Sequence, residues 1–266
     1  MTARSKQSRT RTFIRSSMAP PAIGALGVGA FLVLWQFAGA GSEARAGFIS
    51  YPTEIVATFA RMAASGELGA NVAVSLGEFA EGFLPAILVG IAFGTAFALS
   101  RRLRYLVDPL FAALYSAPMI AFVPVIVVWF GVGAESKVAM VFLAAVVPVA
   151  INTAAGVAEV SESWVRALCA FGASRTQVVA KAVLPGALPS IMAGIRLAVG
   201  RGIVSLVAAE MYVSVKGVGR LIQVYSTSDQ PAEIFVLVVV VSSFGLVCVG
   251  ALRALESRLA PWRVDR

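Results

Sequence analysis

Six apolar stretches punctuate the chain, at residues 22–39, 82–99, 110–132, 138–157, 188–213 and 234–252, with shorter polar segments between them. Each reaches the ~18 residues at which an apolar run reads as a membrane-spanning helix. The last stretch contains "VLVVVV", which resembles a strand locally, but its uncharged length predicts a spanning helix. Residues 40–81 are mixed. There Tyr51-Pro52-Thr53-Glu54 marks a helix start, Ile55, Phe59 and Met62 share one face, and Gly66 marks the stop, which predicts a short amphipathic helix on the outer surface.

The segment at 158–187 has a different pattern. Val165, Leu168 and Phe171 recur at helical spacing, and Gly172 then permits a turn that other residues resist. Ser174 followed by Gln177 fits a capping box, so a second short helix is expected to start there and to end near Leu184, before Pro185. Two short helices bent at a glycine have two readings: a basic loop lying on lipid headgroups, or a surface that docks a protein.

Composition sharpens the picture. Hydrophobic residues make up 59% of the 266, charged residues only 14%, and mean hydropathy is +0.85. A soluble domain of this length needs more polar surface, and a transmembrane β-barrel would not show long unbroken apolar runs. The expectation is an all-α integral membrane protein with six transmembrane helices in one domain, 22–252, between a basic tail at 1–21 and a second tail at 253–266. The net charge of +8 is read as the basic bias of cytoplasmic loops, not as a nucleic-acid surface. Fifteen Lys and Arg fall in the tails and in the 100–108 and 158–187 segments, against five on the other side (Arg45, Arg61, Lys137, Lys216 and Arg220). This asymmetry predicts that both termini, and the 158–187 segment with them, are cytoplasmic. The first run also fits a secretory signal peptide. Cys169 and Cys248 do not form a disulfide framework, and histidine is absent, which removes the commonest acid–base catalyst and metal ligand. No cofactor, metal site or catalytic residue is expected.

Charges inside apolar runs are costly and usually face protein or a watery path. Arg196, Arg201 and Glu210 share the fifth run. Arg196 lies near enough to the cytosolic end to snorkel, while Arg201 and Glu210 either line a path or form structural pairs. Pro118 and Pro124 interrupt the third run and Pro148 the fourth, so Tyr115 and Ser116 are placed at an opening created by a kink. Gly90 and Gly94 form a G-x-x-x-G pair that permits close helix contact.

The 164–185 segment resembles the cytoplasmic "EAA" loop of ABC-importer permeases. Gly172, Ala182, Leu184 and Pro185 occupy its marked positions and Ala167 matches the middle alanine, whereas Arg166 and Leu168 replace the glutamate and the second alanine. "LSRRLRYLVDPL", "VPVIVVWFGVGAESKV", "INTAAGV", "GASRTQVVAKAVLPGALPSIMAGIRLAVGRGIVSLVAAEM" and "VKGVGRLI" extend the resemblance to the permeases of the nitrate/taurine/sulfonate importers, from about Tyr51 to Leu252. It implies a type I importer fold in the bacterial inner membrane. The implied partners are a second copy of the permease, a pair of ATPase subunits and a periplasmic solute-binding protein. The residues implied to meet the ATPase are Leu168, Phe171, Gly172, Ala173, Ser174 and Arg175, with Leu184 and Pro185 closing the motif. The chain carries no G-x-x-x-x-G-K-[ST] loop, so energy would come from that partner. An ion-coupled secondary transporter or channel remains the alternative; an intramembrane enzyme lacks a nucleophile–base pattern.

Overall fold

The computed structural model describes residues 19–40 and 50–259. The basic residues before position 19, Arg45 and the last seven residues lie outside the described residues, and with them most of the two predicted tails. All regular structure among the described residues is helical: α1 (Ala19–Ala40), α2 (Pro52–Ala64), α3 (Glu67–Leu99), α4 (Arg101–Ser116), α5 (Val123–Phe130), α6 (Ala134–Ala158), α7 (Glu162–Ala170), α8 (Arg175–Val178), α9 (Leu184–Val213), α10 (Val218–Thr227) and α11 (Pro231–Leu259). Five helices are long and apolar enough to cross a membrane, and a sixth crossing results if the bent pair Arg101–Ser116 and Met119–Phe130 counts as one span.

The third run is therefore not a straight helix. Its two halves meet at 99°. The break falls at Ala117 and Pro118, both extended, after which a single 3-10 turn (Met119–Phe122) leads into α5, where Pro124 sits in the first turn. Proline tolerates a first turn because its missing N–H has no partner there, and the residue before a proline is pushed out of the helical region. Pro148, by contrast, lies buried within an unbroken α6. The second span also begins earlier than its apolar run: α3 starts at Glu67 and is about 50 Å long by helical rise, well beyond the ~30 Å hydrocarbon layer.

The core is a slab of three helices, with α6 lying between α3 and α9. Lipid gives no hydrophobic drive for helices to associate, so close packing of small residues must bind them. Gly90 and Gly94 supply it on α3. A Cβ built on Gly90 would lie 2.8 Å from Val149 Cβ, and one on Gly94 2.6 Å from Thr153 Cβ. On the other side of α6, a Cβ on Gly194 would lie 2.7 Å from Asn152 Cβ. Above these contacts Phe79, Phe83, Val141, Ile195 and Val199 form the main hydrophobic cluster. A second cluster joins α2 to α10 and α11 through Ile55, Met62, Leu221 and Leu237. The predicted amphipathic helix is α2, with Ile55 and Met62 buried and Phe59 left 46% exposed. Helix α1 is largely exposed and is tied to the start of α2, where Trp35 donates to the Ser50 carbonyl at 2.9 Å.

Candidate coupling segment and translocation path

Residues 161–185 fold as their local chemistry requires. Helix α7 ends in a Schellman motif: Gly172 has φ +77°, its N–H donates to the Cys169 carbonyl, and the Ala173 N–H donates to the Leu168 carbonyl, each at 3.0 Å. Two residues later the chain re-enters a helix through the expected capping box. Ser174 Oγ accepts from the Gln177 N–H, and Gln177 Oε1 accepts from the Ser174 N–H at 2.8 Å. The second helix does not stop before Pro185. It passes through one π-helical turn (Val179–Val183) into α9, so that Arg175–Val213 form a continuous 39-residue helix. The wider turn gives room to the proline ring and to the carbonyl it cannot bond, both of which strain a regular helix.

The segment has two faces. Val165, Leu168, Ala173 and Leu184 pack against the main core, and Val178, Ala182 and Val183 are buried. Leu168 and Ala173, placed by sequence on a docking face, thus turn inward in this chain. Pro185 is half-buried at the head of α9. Outward stand Phe171, 90% exposed, with Gly172, Ser174 and Arg175 around it and Trp164 half exposed on the flank. A phenyl ring so exposed has no function in this chain's own packing. The segment has the shape of a lever: the Phe171 tip turns at Gly172 into the helix that runs unbroken from Arg175 to Val213.

The four residues assigned to the path separate into two groups. Arg201 and Tyr115 meet: the guanidinium donates to the Tyr115 carbonyl at 3.2 Å and lies 3.8 Å from the centre of its ring. Ser116 is exposed beside them and donates to the Ala112 carbonyl. Glu210 is elsewhere. It is completely buried and lines no opening, a correction to its placement on the path. Its carboxylate accepts from Ser75 Oγ at 2.5 Å and from the Gly219 N–H at 2.7 Å, while Ser75 Oγ accepts from the Val218 N–H and Asn71 Oδ1 from the Gly217 N–H. Gly217, at φ +122°, brings the backbone against the carboxylate. Glu210 therefore fastens the α9–α10 connection to α3.

This clamp continues into an ion pair that sequence reasoning missed. Lys137, counted above among the outer-side cations, is 4% exposed and pairs with Glu78, 7% exposed; it also donates to Ser214 Oγ at 3.0 Å. The signal was present as a polar stripe, Asn71, Ser75 and Glu78, at helical spacing on α3. Arg196 does not merely snorkel, since it pairs with Glu256 and ties α9 to α11. Among the described residues no group of three or more His, Cys, Asp or Glu is placed to hold a metal.

Residues 86–261 match the family described as the binding-protein-dependent transport system inner membrane component. The chain is 38% identical over 194 residues to the taurine transport system permease protein TauC of Escherichia coli, covering 72% of this chain and 70% of that one. It is 30% identical over 236 residues to the bicarbonate transport system permease protein CmpB of Synechococcus elongatus, covering 85% and 84%. In fold it is similar to a chain from an inward-facing structure of the MetNI methionine ABC transporter, with a TM-score of 0.62 at 17% identity over 71% of this chain and 94% of that one. The relatives are named as transport permeases, and the bent span, the helix–glycine–helix segment and the long α9 stand within the matched region. This chain belongs to the binding-protein-dependent transport-system inner-membrane components, as an ABC-importer permease of the nitrate/taurine/sulfonate group.

Proposed function

We propose that two copies of this chain enclose a path for a small anion, that a pair of ATPase subunits drives them, and that a periplasmic binding protein delivers the solute. The observation that carries the reading is the 162–185 segment, whose exposed aromatic tip at Phe171 is joined by the single turn at Gly172 to the helix that runs unbroken from Arg175 through α9. ATP-driven closure of a partner gripping Phe171, Gly172, Ser174 and Arg175 would tilt α9 and the slab packed on it, and the path would open alternately to the two sides. Leu168, Ala173, Leu184 and Pro185 serve the same coupling from within, by stiffening the lever. The anionic solute is inferred from the relatives named for taurine and bicarbonate transport. Both termini are placed in the cytoplasm by the distribution of basic residues.

Cells carrying the permease with its ATPase and binding protein should accumulate at least one of taurine, ethanesulfonate, nitrate or bicarbonate. Accumulation should vanish when the ATPase is inactivated. In the same cells an impermeant thiol reagent should label Ser65→Cys and spare Ser257→Cys. Uptake that persists without the ATPase would favour an ion-coupled carrier or channel, and labelling of Ser257→Cys alone would invert the topology.

A further inference from the structure

On α6 and α9, Lys137, Arg196 and Arg201 each reach across to another helix, and they are not equivalent. Lys137 has Glu78 and Arg196 has Glu256. Arg201 has no carboxylate among the described residues; its contacts are the Tyr115 carbonyl and ring. By helical rise it lies about 7 Å beyond Arg196 and about 13 Å short of Glu210, too far from Glu210 to pair with it and next to an arginine whose partner is Glu256. A cation without a counter-charge costs roughly 3 kcal/mol at mid-membrane even on the lenient insertion scales.

We propose that Arg201 is the group that binds the negative charge of the transported solute within the path, with Tyr115 as the platform that orients it. The inference rests on the importer reading above and names the contact that selects the solute. Capping α4 accounts for only part of the guanidinium. Tyr115 lies in the last turn of that helix, where carbonyls lack intrahelical partners and the dipole is negative, yet one N–H suffices there and the group has five. Stacking on the ring holds the guanidinium plane fixed, which suits paired N–H donation to a sulfonate, carboxylate, nitrate or bicarbonate oxygen pair. The site is also accessible. Arg201 borders the strip of α9 that its neighbours leave uncovered (Leu197, Gly200 and Val204), although most of that helix is buried. The 99° break between α4 and α5 sets Tyr115 beside this strip. Such a site accepts a compact oxyanion and rejects cations.

The test uses the assembled permease–ATPase complex in lipid nanodiscs. Phenylglyoxal adducts at Arg201 are followed by peptide mass spectrometry, with taurine, ethanesulfonate, nitrate and bicarbonate as probes and exposed Arg104 as the internal control. At least one probe should slow modification of Arg201 several-fold and leave Arg104 unaffected. Arg201→Gln keeps an N–H for the Tyr115 carbonyl but loses the charge. It should assemble normally and lower ATP-dependent uptake of the protecting anion by roughly tenfold or more, the value of one charge-assisted hydrogen bond, and Arg201→Lys should retain part of the uptake. The proposal is overturned if no probe protects Arg201, if a protecting anion is not taken up by the wild type, or if Arg201→Gln transports normally. Loss of the assembled complex in Arg201→Gln, with rescue by Arg201→Lys, would overturn it in favour of a structural cap. In each of these cases an ATP-dependent wild type leaves the importer reading standing; a wild type that works without its ATPase removes that reading instead.

Discussion

Lys137→Met should cost roughly 3–5 kcal/mol of stability, the typical effect of removing one partner from a buried ion pair. The substitution leaves the Glu78 carboxylate enclosed by protein with no cation, one of its oxygens already without a hydrogen-bond partner, and it also takes a donor from Ser214. Glu210, whose carboxylate feels both Glu78 and Lys137, would then face a second unneutralised acid. Thermal unfolding in detergent, followed by size-exclusion fluorescence, should show Lys137→Met aggregating at markedly lower temperature than the wild type. Adding Glu78→Gln removes the stranded charge, so the double variant should be more stable than Lys137→Met alone. If the two substitutions instead destabilise additively, the pair is not coupled and the clamp holding the α9–α10 connection has been misread.

The second large effect is steric. Gly94→Val should destabilise by about 3 kcal/mol, the upper end for overpacking, because the new side chain meets Thr153 Cβ and the Ala150 carbonyl, a backbone atom that cannot swing away. Helices α3 and α6 would have to separate along the contact that holds the slab together. Gly77, in the same helix, is the control. A Cβ there meets nothing within 4 Å, so Gly77→Ala should raise stability by about 0.5–1 kcal/mol through helix propensity. The same unfolding assay reads both, and equal behaviour of the two variants would mean that close packing at Gly94 is not what joins the helices.

What could be read in advance was local. The turn at Gly172 and the capping box from Ser174 to Gln177 depend on residues within a few positions of one another, and both form as expected. The apolar runs marked the membrane helices because run length needs no knowledge of partners. Chain path and pairing were harder to read. An uncharged run is the same in a straight helix and in one bent by 99°, and only Pro118 and Pro124 marked a kink there, without its angle. Pro185 signalled a helix end, but the preceding π turn absorbed it. Glu210 looked like a pore residue because its partner Ser75 lies 135 positions away, and Lys137 looked like a loop cation because Glu78 is on another helix. The inward turn of Leu168 and Ala173 likewise depends on a core assembled from distant helices.

The claim that joins these observations is that the Phe171 tip is where an ATPase subunit grips the lever. Phe171→Asp tests it most directly, since a side chain 90% exposed can change without disturbing this chain's own packing. The measurement is co-purification of the ATPase with tagged permease from membranes, normalised to permease recovered. Phe171→Asp should reach the membrane in wild-type amount yet bind its ATPase at least about thirtyfold more weakly, as loss of an aromatic anchor worth 2 kcal/mol implies, and substrate-stimulated ATP hydrolysis should fall with it. Wild-type recovery of the ATPase together with wild-type hydrolysis would contradict the account and leave the 162–185 segment as a loop on the membrane surface.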